Sequence, residues 1–322
     1  MKSQTTFEEL LNCHKFEDAT ALLLNELGSG QLLDPRSDPH WTQFADSLAA
    51  RIRDKLGIDE VVKFWTRILE FLLHLIEPEW GHAHKGHIYF RLGLVTLQSN
   101  LSVGKHNLEL AYQDDLKLQH SSSIQPDATT QSAYVTLAIL EQIEDSQFSS
   151  PEDKENFIAR LFKAHNTVLA GKTVNPQMVE RAISIIAPPE ALSICQTLYR
   201  ELQAAHNHVM PFALVSLTGT LLESLVLGHL YYRNKVQSVK RSGKNIDILK
   251  AELGLLLNLA FKNGLPVKSQ VAFKLIYLFR NRVHPGNEIT QKYKMVPRVA
   301  MTIKTFCEFA LLDWSKSFKV TQ

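Results

Sequence analysis

Residues 211–233 read PFALVSLTGTLLESLVLGHLYYR, an apolar run with a single acidic side chain and no basic one before Arg233. The run is long enough to cross a bilayer as a helix. Glu223 and His229, however, are groups that a lone membrane span disfavours. The sequence therefore predicts a buried helix at the centre of a soluble domain, with no membrane as a partner.

The segments on either side of this run also show helical periodicity. Apolar residues recur at helical spacing and are interrupted by Pro, Gly and short polar loops. Pro188-Pro189 is the sharpest break, and Asn263-Gly264 is a good C-cap for a helix predicted from Ile246. No long alternating strand is visible. We expect an all-α fold, with an α-solenoid-like helical-hairpin region over residues 1–206 and a four-helix bundle over residues 207–322.

Composition and charge exclude several classes of protein. The 322 residues include 35 Lys+Arg and 33 Asp+Glu, so bulk charge does not indicate nucleic-acid binding, and any such site must be local. Three distant cysteines exclude a disulfide scaffold and fit a reducing compartment. The N-terminal residues carry no signal-peptide pattern, which favours a cytoplasmic location. No Gly-rich phosphate loop or nucleophile elbow is present.

One helical hairpin in the N-terminal region resembles a tetratricopeptide unit. Over residues 87–118, Gly93 precedes a turn predicted around Gly104, and Ala111 and Tyr112 follow it. The resemblance implies a scaffold that presents a concave surface to a protein partner. Plain helix packing remains the alternative, because only one unit matches clearly and three or more are normally needed.

Three histidines lie within six residues at His82, His84 and His87. Neutral imidazoles at this density can bind Zn, Ni or Cu. A catalytic zinc needs three placed ligands and a second shell, and no Cys or Asp/Glu pattern accompanies these residues. We predict a solvated loop and no metal cofactor, and keep a metal-dependent hydrolase as an alternative.

The most specific motif is Arg280-Asn281-Arg282-Val283-His284-Pro285. On a helix, Arg280 and His284 point the same way, one turn apart, and Pro285 ends the helix beside them. In the apolar run, Ser216, Thr220 and Glu223 form a thin polar stripe. A carboxylate there should be buried and paired with a cation. Arg280 or His284 is the expected partner of Glu223.

The part of the chain from about residue 207 to 316 resembles the HEPN superfamily of small helical bundles. The resemblance rests on Gly219–Glu223, on the helix ending at Asn263-Gly264, and on Arg280-Asn281 before His284. Many members are metal-independent ribonucleases of toxin or antiviral defence systems, and they typically act as dimers. The resemblance implies that Arg280 binds the scissile phosphate, Asn281 orients it, and His284 transfers the proton.

The spacing in this chain leaves a structural alternative open. Three residues separate Arg280 from His284, whereas the family usually has at least four. In the alternative, Arg280 pairs with Glu223 and His284 caps the bundle.

Local basic charge lies near the motif in sequence. The candidate RNA-binding residues are Arg233, Lys235, Lys240, Arg241, Lys244 and Arg282. A solvated basic loop is an equally common origin of such a pattern. The predicted function is a HEPN-like ribonuclease, acting as a homodimer on RNA, with an N-terminal regulatory or sensing region. The alternative is a non-catalytic adaptor or dimerisation protein.

Overall fold

A computed structural model describes residues 2–29, 41–75, 78–121, 128–141, 143–241, 244–265, 270–283 and 292–318. These residues are mainly α-helical, so the predicted all-α fold class is confirmed. The chain divides into two compact units, residues 1–137 and 138–322.

In the first unit, consecutive helices pack on one another. They surround a core that includes Trp41 and Trp65. The helices are α1 (Lys2–Asn12), α2 (Phe16–Ser29), α3 (Trp41–Leu56), α4 (Ile58–Leu75), α5 (Pro78–Ser99), α6 (Leu101–Ser121) and α7 (Ala128–Leu140), the last of which runs into the second unit.

Helices α5 and α6 form the closest-packed pair of the first unit. A Cβ atom on Gly93 would lie 2.7 Å from Leu108 Cγ, and one on Gly104 would lie 2.7 Å from Leu97 Cγ. The two glycines therefore allow the helices to approach. The predicted turn around Gly104 is wrong, because Gly104 lies inside α6 and the break is at Asn100, whose side chain accepts a hydrogen bond from Val103 N.

The second unit contains the remaining helices, several of which begin with proline. Proline fits the first helical position because its missing N–H needs no partner there. Side-chain caps from Ser150 and Asn175 start two of them. The helices are α8 (Pro151–Leu169), α9 (Pro176–Ile186), α10 (Pro189–Asn207), α11 (Pro211–Gly228), α12 (Leu253–Lys262), α13 (Gln270–Arg282) and α14 (Pro297–Ser317).

The predicted buried helix is the core of this unit. Helix α11 continues as a π-helical turn, His229–Arg233, and packs against α10, α12, α13 and α14. Among the described helices, only Pro211–Arg233 is long and apolar enough to cross a membrane. Half of the most apolar stretch of this helix is buried inside the protein.

The division between units lies earlier in the chain than the boundary predicted at residues 206–207. Helix α14 packs on α8 and α9, and α10 packs closely on α11. The four predicted C-terminal helices are present as α11 to α14, but they share one core with helices that precede residue 207. Pro211 marks the start of a helix and not the edge of a domain.

Where a basic loop was predicted, the structure has a β-hairpin. Strands β1 (Ser238–Arg241) and β2 (Lys244–Asp247) are antiparallel, with Lys240 opposite Asn245. The predicted helix from Ile246 begins instead at Leu253, after a short 3-10 turn over Ile248–Lys250. The Ser-Gly pair between the strands is a sequence signal for a two-residue hairpin connection.

A charged pair lies fully inside the second unit. Lys304 Nζ and Glu308 Oε1, one turn apart on α14, are 2.8 Å apart, and each side chain is 1% exposed. The same oxygen accepts hydrogen bonds from Tyr199 Oη (2.9 Å) and Gln203 Nε2 (3.2 Å) of α10. Glu308 Oε2 is buried without a hydrogen-bond partner. The two hydrogen bonds to Glu308 link α14 to α10, and Lys304 balances the buried charge of the carboxylate from within α14.

Candidate functional site

Helices α11 and α13 bring Glu223 and Arg280 together. Arg280 Nη2 lies 2.8 Å from Glu223 Oε2. The ion pair predicted from the polar stripe is therefore present. The two side chains are 34% and 26% exposed, so Glu223 is only half-buried, at the edge of the bundle.

The side chain of Arg280 lies directly on Gly219. A Cβ atom at Gly219 would be 2.7 Å from Arg280 Cδ, 2.8 Å from Cγ and 2.9 Å from Cβ, which are distances that carbon atoms do not reach. Gly219 thus provides the flat surface on which the guanidinium reaches Glu223. A glycine inside an otherwise apolar helix is the sequence signal for such a close approach.

The hydroxyl of Thr220, in the predicted polar stripe, makes a contact within its own helix. Thr220 Oγ1 donates a hydrogen bond to Ser216 O at 3.0 Å, within α11. The carboxylate of Glu223 is thus the charged group that this stripe offers to Arg280. Exposed ion pairs contribute only about 0–1 kcal/mol, so an incoming phosphate can compete with Glu223 for Arg280 at little cost.

The motif residues after Arg280 differ in their environments. Asn281 is exposed on α13, adjacent to Arg280 in sequence. His284 lies outside the described residues, so its predicted role stays a prediction.

Arg282 is not available to RNA, and its predicted role as a phosphate contact is wrong. The residue is 4% exposed, and its guanidinium forms an ion pair with Glu141. It also donates a hydrogen bond to Ala138 O (2.8 Å) and stacks on Phe279, with 4.8 Å between Cζ and the ring centroid. One turn of α13 directs Arg280 outward and Arg282 into the core.

Glu141 contacts the chain on both sides of the segment that contains His284. One carboxylate oxygen pairs with Arg282, and the other accepts a hydrogen bond from Lys292 N at 3.3 Å. Glu141 therefore binds the Arg282 side chain before residues 283–291 and the Lys292 backbone after them. The sequence motif gave no indication of this carboxylate.

The candidate RNA-binding residues fall into two groups. Arg233 is committed to the protein, since Nη2 donates to Ile185 O at 2.7 Å and Cζ lies 4.5 Å from the centroid of the Phe318 ring. Partial burial lowers the pKa of Arg233. Three lysines are exposed: Lys235 lies before the β-hairpin, Lys240 in β1 and Lys244 in β2.

Arg241 is placed by its backbone alone, opposite Lys244 in the hairpin register. The hairpin thus presents lysines to solvent, while Arg233 ties the end of the π-helical turn to α9.

The histidine cluster shows no metal site in the part that the structure describes. The side chains of His82 and His84 lie outside the described residues, and His87 lies in α5. Across the described residues, no three His, Cys, Asp or Glu side chains are grouped to hold a metal ion. The prediction of a loop here is wrong, because the backbone of residues 78–99 is helical.

The chain matches no protein-family model, no curated protein and no solved structure.

Proposed function

We propose that the second unit is a HEPN-like, metal-independent ribonuclease. The observation that carries the proposal is the position of Arg280, whose side chain lies on Gly219 beside Glu223 and is 34% exposed. It supports a guanidinium that is positioned in advance and remains accessible to a phosphate. Arg280 binds the scissile phosphate, Asn281 orients it, and Glu223 holds the guanidinium in place until RNA arrives.

The chemistry needs no metal because RNA supplies its own nucleophile. His284 takes the proton from the ribose 2′-hydroxyl, whose oxygen attacks the neighbouring phosphorus. The bond from phosphorus to the 5′-oxygen breaks, and that oxygen takes up a proton from solvent water. The products are a 2′,3′-cyclic phosphate and a 5′-hydroxyl. Arg280 stabilises the negative charge that grows on the phosphate oxygens.

Two further contacts support this arrangement. Glu141 and Arg282 fix the chain on either side of the segment with His284, which makes them positioning residues in the proposal. Lys235, Lys240 and Lys244 provide exposed positive charge for the RNA backbone.

The wider biological setting is part of the same proposal. A homodimer would place two copies of Arg280 and His284 in one cleft. The first unit, with its closely packed α5 and α6, would bind a regulatory protein. The protein would act in the cytoplasm, in a toxin or antiviral defence system.

A second candidate function is a non-catalytic adaptor that dimerises through the second unit. The favouring observation is that Glu223 neutralises Arg280 in the free chain, as a purely structural ion pair would. The two candidates differ in what Arg280 and His284 do when RNA is present.

The decisive experiment is cleavage of a mixed pool of single-stranded RNA and tRNA in EDTA. We expect the wild-type chain to produce cyclic-phosphate ends and His284→Ala to lose at least about 100-fold in rate, the usual contribution of general acid–base catalysis. Arg280→Lys should lose activity as well, because an ammonium cannot form the bidentate contact with phosphate. His208→Ala, an exposed histidine on the end of α10, is the matched control.

Two outcomes contradict the nuclease. One is the absence of cleavage by folded wild-type protein, and the other is cleavage that His284→Ala retains. The first, with a dimer in light scattering that persists in Arg280→Lys, would favour the adaptor.

A further inference from the structure

A cleft of about 800 Å³ lies in the second unit, away from Glu223 and Arg280. Helices α8 and α9, the connection between them and the C-terminal half of α14 form its walls. Cavities of about 300–1,000 Å³ are the usual size for small-molecule sites. Arg280, Asn281, Glu223, Glu141 and Arg282 do not line this cleft, so a ligand here would serve a purpose separate from theirs.

The floor of the cleft is apolar. Its lining includes Val174, Met178, Ala182, Ile185, Phe309 and Leu312. Met178 is 56% exposed, so its side chain is accessible to a ligand from solvent. Methionine adapts its shape to different ligands, which suits it to a binding surface.

The rim of the cleft is basic. Arg160, Lys163, Lys172, Arg181 and Lys316 line it, and among the described lining residues only Asp313 is acidic. Asp313 pairs with two of these cations, through Arg160 Nη2 at 2.6 Å and Lys316 Nζ at 2.8 Å. The carboxylate is therefore already shared between two bases and cannot offset the other three.

Three cations of the rim have no carboxylate partner among the described residues. They are Lys163, Lys172 and Arg181. The Lys163 ammonium lies 4.7 Å from the centroid of the Phe309 ring, which ties the basic rim to the apolar floor. An excess of positive charge above an apolar surface is complementary to a ligand with an acidic head and an apolar body.

We propose that this cleft binds a small amphiphilic anion. The apolar body would lie on Met178, Ile185 and Phe309, and the acidic head would contact Lys172 and Arg181. The head is a carboxylate, sulfonate or phosphate, since all three present oxygens to ammonium and guanidinium groups. The proposal is independent of the ribonuclease.

The test is fluorescence titration of the full chain with two probes of nearly the same apolar body. 8-Anilinonaphthalene-1-sulfonate carries a negative charge, and N-phenyl-1-naphthylamine is neutral. We expect the sulfonate to bind more tightly to wild type. The double variant Lys172→Glu/Arg181→Glu should weaken sulfonate binding by about tenfold or more, through loss of attraction and added repulsion. Binding of the neutral probe should change less than threefold.

A control and a second variant separate the cleft from general effects of charge and folding. Arg200→Glu changes the charge of an exposed residue on α10 outside the cleft, and should leave both probes unaffected. Met178→Asp should weaken both probes, because it removes part of the floor. Circular dichroism and thermal melts of each variant must match wild type, because loosened cores also bind the sulfonate probe.

Competition identifies the chemistry of the head group. Decanoate displacing the sulfonate would indicate a carboxylate ligand, and decyl phosphate displacing it more strongly would indicate a phosphate. The proposal is overturned if folded wild type does not bind the sulfonate probe, if Arg200→Glu weakens it as much as the double variant does, or if neither competitor displaces it.

Discussion

Replacing Lys304 by methionine tests the buried ion pair of α14, whose Glu308 also accepts hydrogen bonds from α10. Lys304 and Glu308 are each 1% exposed, so Glu308 would lose the cation that balances its charge in the core. It would keep the hydrogen bonds from Tyr199 and Gln203, both to Oε1. Removing one partner of a buried ion pair usually costs about 3–5 kcal/mol in the free energy of unfolding. We expect a loss in that range at pH 7.

The loss should depend on pH in a definite direction. Burial raises the pKa of Glu308 above its usual 4.5, and the charge of Lys304 opposes that rise. Without Lys304 the pKa of Glu308 rises further, so the folded variant holds a proton that the unfolded chain releases above pH 4.5. Folded wild type also has a raised pKa at Glu308, but a lower one than the variant. The deficit of the variant relative to wild type should therefore shrink as the pH falls from the variant's pKa to the wild-type pKa of Glu308, by up to about 1.4 kcal/mol per pH unit.

Urea unfolding of the full chain at pH 5 and pH 7 measures both quantities. Lys304→Met/Glu308→Leu is the matched control, since an apolar replacement of the whole pair should recover most of the loss. The reasoning fails if Lys304→Met costs less than about 1 kcal/mol at pH 7, or if its cost is the same at both pH values.

Two further substitutions test the second unit. His165 is buried, and its pKa is lowered from 6.5 to about 4, first by burial and second by the charge of Arg298. The free energy of unfolding of wild type should therefore decrease by about 3 kcal/mol as the pH falls from 6.5 to about 4. His165→Phe should flatten this decline, and an unchanged pH profile would contradict the explanation. Gly219→Ala adds a methyl group against the side chain of Arg280. The overpacking should cost about 1–3 kcal/mol, which exceeds the gain of about 1 kcal/mol in helix propensity. The melting temperature should therefore fall. Ser216→Ala on the same helix is its control, and an increase in the melting temperature of Gly219→Ala would show that α13 yields easily.

Local sequence signals were sufficient for most helices of the second unit. A proline that can begin a helix, or a side chain that can cap one, acts within a few residues, as Ser150 and Asn175 show. The β-hairpin was missed because its strands are short and polar, with no apolar alternation to distinguish them from a loop.

In the candidate site too, some contacts could be predicted from local sequence and others could not. The pairing of Glu223 with Arg280 followed from helical spacing, because an acid on an apolar helix needs a cation nearby. The burial of Arg282 could not be predicted from its neighbours, since its partner Glu141 is 141 residues away in the sequence. Arginines two residues apart on one helix differ in role according to contacts that only the tertiary structure supplies.

The contacts of Glu141 have a practical consequence for dissecting this protein. A fragment cut at residue 207 would contain Arg282 but lack both its acceptors, the carboxylate of Glu141 and the carbonyl of Ala138. It would also expose the faces of α11 and α14 that α8, α9 and α10 cover. The smallest piece suited to separate expression therefore begins at α7, and an inactive shorter fragment would report lost packing and say nothing about catalysis.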